Sequence, residues 1–306
     1  MTFKSIDELL SYGGANKQRK IVAVAVPEDD HTLHAVLRAA ADGFVTPFLV
    51  GDKQKILSIA AQLTDVELDE GWIVDISDHK QATDKAVELV REEKADFLMK
   101  GSLNTSEIIR AVLNKETGLP HGKLITDMAL TELPGYHKLL TFADGGILPY
   151  PTLEQKADMI RMIVDALHEM GYEGDIKVGV LCAAETPNPK IVESMDAVEL
   201  KKMNQEGKLP GCIVEGPISL DIALKPDVAA AKGFESPCAG DVDVLIMPNL
   251  VTGNVYSKSI EMIGAMPMGI VLGACCPITV VSRAAPTELK YRALVTTSMM
   301  AKKRVK

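Results

Sequence analysis

Two rhythms of apolar residues alternate along the chain. Short continuous runs, the first at residues 20–26 (Lys-Ile-Val-Ala-Val-Ala-Val) and closed by Pro27, have the length and β-branched content of strands buried on both faces. Between them, apolar residues recur every three or four positions, the spacing of one helix face. The first half predicts strands at 20–26, 48–52, 72–76 and 96–100, with helices at 31–41, 53–63, 82–94 and 106–114. Ser5-Ile6-Asp7-Glu8 adds a capping-box helix start near the N-terminus. Repeated strand-helix units of this kind build a mostly parallel sheet covered on both faces, so the fold class is α/β.

At Leu148-Pro149-Tyr150-Pro151-Thr152 two prolines interrupt the rhythm. A long amphipathic helix at 153–170 follows, then strands at 177–181, 212–215 and 244–247, a helix at 191–203, a glycine-rich apolar stretch through 278–281, and a closing helix at 288–302. The interruption sets a domain boundary, and 306 residues suit two α/β domains.

Charge narrows the partners. The formal charge is −9, which repels a long polyanion such as nucleic acid but leaves room for a small anion bound by a local group of N–H donors and cations. The N-terminus carries acids where an export signal would be apolar, and runs such as 242–250 and 270–281 fall short of a membrane span. Five cysteines (182, 212, 238, 275 and 276) lack C-x-x-C spacing and read as structural free thiols of a reducing compartment. The expectation is a soluble cytoplasmic protein.

Familiar nucleotide loops are absent, as is the G-x-S-x-G elbow of α/β-hydrolases. His31 and His34 beside Asp29 and Asp30 have a spacing that suits a metal, although a solvated helix start explains them as well. Three strand ends carry more chemistry. At Lys100-Gly101-Ser102-Leu103-Asn104-Thr105 a buried strand empties into a polar helix start, whose N–H groups and lysine suit a phosphate or acyl oxygen. Asn104 and Glu107 also have plain capping spacing. Ser282-Arg283 with Glu288 groups a hydroxyl for an oxyanion, a guanidinium for phosphate and a carboxylate for a proton, though a strand end and helix start need the same residues. Residues 247–256, including Gly253 and Asn254, repeat the pattern. Ligands of open α/β sheets bind beyond such carboxyl ends.

Taken together, Met99-Lys100-Gly101 with Asn104-Thr105, residues 112–119, Gly211 to Pro217 with Leu220 to Leu224, Met247-Pro248-Asn249 with Thr252 to Val255, and Ser282-Arg283-Ala284 resemble the phosphate acetyltransferase and phosphate butyryltransferase family. The lysine-glycine, glycine-proline and glycine-asparagine pieces look closer to the butyryl branch. The resemblance implies a two-domain fold like that of the isocitrate and isopropylmalate dehydrogenases, with mostly parallel sheets and an interdomain cleft. It divides the chain into a first domain, 1–148 plus 283–306, and a second, 149–282.

The activity so implied joins a short-chain acyl-CoA and phosphate to give acyl phosphate and CoA by direct transfer in a ternary complex. CoA is then a substrate, with no separate cofactor or metal, and a homodimer or higher homo-oligomer is expected. Ser282, Arg283 and Glu288 would be catalytic, with Glu288 as base. Lys100, Gly101, Asn104, Thr105, Thr126, Asp144, Gly253 and Asn254 would bind substrate. This chain departs from the acetyl branch in having Leu289 where that branch carries its acid, and Ile125 where it carries an arginine. A non-catalytic acyl-CoA or acyl-phosphate binder and a dehydrogenase of the same fold stay open, the latter without its arginine-rich motif or aspartate cluster.

Overall fold

Why the strands stop where they do is clearest at the first. In the structure, a computed structural model describing residues 2–16 and 18–303, strand β1 (Lys20–Ala25) ends because Val26 turns to a left-handed φ of 55°. A β-branched residue there is strained. The turn aims the Val26 carbonyl at the N–H of Ser102 (2.8 Å), which fixes the next strand end beside the first.

Helix α1 (Ile6–Ala15) precedes β1, and the serine of the expected capping box accepts the Glu8 N–H at 3.1 Å. Then follow α2 (Asp30–Ala41), β2 (Val45–Gly51), α3 (Lys53–Ala60), β3 (Ile73–Asp75), α4 (His79–Arg91), β4 (Phe97–Lys100), α5 (Thr105–Val112), β5 (His121–Glu132) and β6 (Leu139–Ala143). The later elements are α6 (Leu153–Glu169), β7 (Ile176–Leu181), α7 (Val192–Gln205), β8 (Cys212–Ile218), α8 (Leu220–Leu224), α9 (Pro226–Ala231), β9 (Val244–Ile246), α10 (Leu250–Met262), β10 (Met268–Ala274), β11 (Ile278–Thr279) and α11 (Thr287–Met300).

These elements form two compact units. The first comprises Leu9–Ile125 with Met268–Lys306 and the second Met1–Glu8 with Thr126–Pro267; residues 1, 17 and 304–306 of the expected segments lie outside the described residues. The chain therefore changes unit within β5, after Ile125, rather than at the prolines near 149. Pro149 and Pro151 instead lead into the Thr152 capping box of α6. A change inside a hydrogen-bonded strand carries no turn residue to mark it.

In the first unit the strand order is β3-β2-β1-β4-β11-β10, followed by the start of β5. The β1, β2, β3, β4 and β11 pairings are parallel, while β10 and β11 are antiparallel. Helix α11 packs on α2 and is buried along most of its length, including Ala293, Leu294 and Val295. In the second unit the end of β5 leads to β6, β9, β7 and β8; β5 and β6 are antiparallel and the rest parallel. Its core gathers Phe142, Leu181, Ile218, Leu245 and Met247. This is the expected α/β class with a mostly parallel sheet. No helix among the described residues is long and apolar enough to cross a membrane.

Gly101 sits where the fold leaves almost no room. A Cβ there would sit 2.2 Å from the Val26 carbonyl oxygen and 2.7 Å from that of Ala25. Both contacts are backbone, so no side chain can move aside. Gly101→Ala is expected to cost about 3 kcal/mol or more by urea unfolding, at the upper end for overpacking.

Candidate active site

An ion pair between half-buried Asp29 and buried Lys290 organises the carboxyl ends of β1, β4 and β11 in the first unit. Asp29, the N-cap of α2, accepts bonds from Lys290 Nζ (2.8 Å), Ser102 Oγ (2.6 Å), and both the N–H and hydroxyl of Thr32 (2.7 and 2.6 Å). Burial alone would raise its pKa, but these donors, Lys290 foremost, bring it down to about 2. Lys290 is itself buried and also donates to Thr32 Oγ1 (2.9 Å) and the Arg283 carbonyl (3.2 Å). One carboxylate thus ties the β4 loop, the start of α2 and the approach to α11 together.

Lys100 ends β4 and is buried, with Nζ donating to the carbonyls of Leu103 (3.0 Å) and Gly101 (3.3 Å). Burial, with the positive charges of Lys290 and Arg283 nearby, pushes its pKa down to about 8. Arg283 Nη2 donates to Asn104 Oδ1 at 2.6 Å, so the arginine loop and the lysine loop meet. Thr105 opens α5, exposed, and the Asn104 N–H donates to the Glu107 carboxylate at 2.7 Å, as a capping box requires. Ser282 is exposed, and its hydroxyl has no protein partner among the described residues.

Glu288 has a different setting from the one expected of a base. Arg38 Nη1 donates to one carboxylate oxygen (2.6 Å) and Arg292 Nε to the other (2.7 Å). Burial opposes them, yet these bonds hold the carboxyl below its ordinary range. Arg38 also stacks 3.9 Å from the Tyr291 ring centroid. The histidines diverge as well: His31 meets Thr287 Oγ1 (2.9 Å) and His34 meets Asp65 (2.9 Å).

The remaining candidates form a second group, within the second unit. Asp144 is buried, and its Oδ1 accepts the N–H groups of Gly146, Ile147 and Leu148 (2.9, 2.8 and 3.2 Å). Its Oδ2 accepts from Thr126 Oγ1 (2.6 Å) and the Asp127 N–H (3.1 Å). Gly253 packs on this turn so closely that a Cβ would come 2.2 Å from the Asp144 carbonyl oxygen, and Asn254 Nδ2 donates to the Gly145 carbonyl at 3.2 Å. Asp127 faces the same turn, accepting the N–H groups of Gly145 and Gly146 (3.1 and 3.0 Å); burial and then the Asp144 charge raise its pKa well above the carboxylate range.

Beyond the ends of β7 and β9 in this unit lies a cavity of about 410 Å³ lined by Leu181, Cys182, Leu220, Met247, Asn249 and Tyr256. All five cysteines are free, and Cys182 is pushed up to about 11 by burial, away from nucleophilic use.

Lys290 and Asp127 are members that sequence reasoning missed, and Asp29 and Ser102 entered it without the roles found here. Asp29 reads as an ordinary helix cap and Lys290 as a solvated helical lysine. Only the packing of α11 on α2 makes them a pair.

Comparison with known proteins bears on this geometry. A family model described as phosphate acetyl/butaryl transferase matches residues 77–298. A phosphate butyryltransferase of Clostridium acetobutylicum is 39% identical over 94% of this chain and 95% of its own length. A phosphate acetyltransferase of Thermotoga maritima is 36% identical over 94% and 97%. Among solved structures, a branched-chain phosphotransacylase from Enterococcus faecalis superposes with a TM-score of 0.78 at 26% identity, covering 92% of this chain and 98% of that one. A 4-hydroxythreonine-4-phosphate dehydrogenase from Burkholderia phymatum, 13% identical with a TM-score of 0.55 over 93% and 99% of the two chains, shares the fold, in line with the dehydrogenase-like architecture expected.

Two outcomes follow from the ion pair and the turn. Asp29 has a folded pKa of about 2 against an ordinary 3.8, so its stabilisation is present above about pH 4 and lost as pH falls through about 2. Asp29→Asn should lower stability at pH 7 by about 2 kcal/mol in urea unfolding, with the gap to wild type closing below about pH 3. Asp144→Ala should release the N–H groups of residues 146–148, read as at least about a tenfold loss of hydrogen-exchange protection there.

Proposed function

The chain belongs to the phosphate acetyl/butaryl transferase family, and from that premise we propose that it moves a short acyl group between CoA and inorganic phosphate. The observation that carries the reading is the meeting of Arg283 with Asn104 beside the buried Lys100, which sets a guanidinium and an ammonium at the start of α5. Two cations with the first N–H groups of a helix suit a phosphate dianion. Thr105 adds a hydroxyl there, and Gly101 keeps the loop close to β1.

Direct attack by a phosphate oxygen on the thioester turns the carbonyl into an oxyanion. The exposed Ser282 hydroxyl, adjacent to Arg283, is the donor we assign to it. To the CoA arm we assign the Asp144 turn of the second unit, with Thr126, Gly253 and Asn254 shaping it. Glu288, held by two arginines, suits the positioning of Arg38 and Arg292 better than the taking of a proton. The acyl group is butyryl or a neighbouring short chain, since relatives of nearly equal identity are named for butyryl and acetyl transfer.

The free thiols suit a cytoplasmic protein. Exposed Val192, Met195, Val251, Val255 and Met262 support a homodimer through the second unit.

The test is phosphate-dependent thiol release from acetyl-, butyryl- and isobutyryl-CoA. Ser282→Ala should lower kcat about 100-fold with little change in KM. Arg283→Gln should raise the KM for phosphate about tenfold or more. No thiol release from any of the three by folded protein sinks the reading.

A further inference from the structure

Glu288 is paired with Arg38 and Arg292, and the first unit holds a second candidate for the proton of the CoA thiol. We propose that Lys100 Nζ is the acid-base group of acyl transfer, giving a proton to the departing CoA sulfur in one direction and taking it from the thiol in the other. The proposal rests on the acyl-transfer reading above and assigns the proton-transfer role within it.

Three features of the geometry support it. Nζ donates to two carbonyls, those of Leu103 and Gly101, and a neutral amine has just two N–H bonds. Both are then satisfied, and the lone pair is left over. The ammonium form carries one further N–H at that position, ready to be given up. The loop that supplies both carbonyls is locked from behind: Gly101 against Val26 and Ala25, and Ser102 on Asp29. Nζ is therefore held rather than swinging on a flexible stem.

The surrounding charges set the balance between the two forms. Lys290 from α11 and Arg283 from the β11 loop press toward the neutral amine, while Asp29 before α2 and Glu107 on α5 favour the ammonium, and burial outweighs them all. A value near 8 lies close to the ordinary 8.5 of a thiol, so the proton passes between amine and sulfur with little free-energy difference in either direction.

The step balances. An oxygen of HPO₄²⁻ attacks the thioester carbon and forms the C–O bond. The C–S bond breaks with its electron pair on sulfur, and the Lys100 ammonium protonates that sulfur. The proton carried by phosphate returns to Nζ, leaving acyl phosphate and CoA thiol.

The experiment compares wild type, Lys100→Gln and Lys100→Arg in the acyl-CoA plus phosphate direction across pH. In this direction the ammonium is the required form, so wild-type kcat should fall as pH rises through about 8. Both variants should lose about 100-fold or more in kcat and lack that limb, the range general acid catalysis covers. Lys100→Arg retains the charge for phosphate but does not release a proton at these pH values. A 4-nitrothiophenyl thioester, whose thiolate leaves without a proton, should shrink both losses to less than about tenfold.

Lys100→Arg within about tenfold of wild type with acyl-CoA, or an undiminished loss with the aryl thioester, overturns the proposal in favour of simple charge binding. Should a variant fail to fold, lysine ¹³Cε titration by NMR on wild type decides: one signal moving near pH 8 is expected, and none below about pH 10 overturns it. Wild type that releases no thiol at all overturns the acyl-transfer reading instead, a result distinct from either of these.

Discussion

A half-buried carboxylate and a buried ammonium, Asp29 and Lys290, are the contact on which the first unit's functional end depends. Each would be costly alone, since removing an ion from water costs several kcal/mol unless it is paired and its remaining hydrogen bonds are made. Both conditions hold: Asp29 takes four donors, and Lys290 reaches a carboxylate, a hydroxyl and a carbonyl. Removing one partner would strand the other. That mutual dependence fixes the helix that caps β1, the loop beyond β4 and the backbone of Arg283 in one arrangement.

Around this pair the charges are graded rather than merely positive. Arg283 has a neutral amide as its partner and stays exposed, so it has charge to offer an anion. Lys290 is spent on Asp29. Lys100 lies between them, its charge neither neutralised nor freely solvated, and burial decides its protonation. Three cations at one group of strand ends therefore differ in how far their charge is already engaged, set by the partner each finds.

Much of this was legible in the sequence. Strands such as β1 and β4 were plain because strands buried on both faces leave uninterrupted apolar runs, and α6 and α11 because helical spacing persists through them. β5 and β6 were not recognised: β5 begins with exposed His121, Gly122 and Lys123 and mixes Thr and Asp into its apolar residues, so neither periodicity stands out. The lysine, arginine and serine loops were readable as strand ends opening into helix starts. What could not be read was pairing across more than two hundred residues, as between Arg38 and Glu288.

The first unit is built from two stretches of chain separated by the whole of Thr126–Pro267. Its β4 lies parallel to β11, so a strand made early must wait for a partner made late. On the ribosome the intervening unit can close on itself while β4 still has an open edge and Asp29 lacks its counter-ion. The β4 end thus takes its final form only after the whole of the second unit has been made and Lys290 has followed it, which makes folding order part of how this end is built.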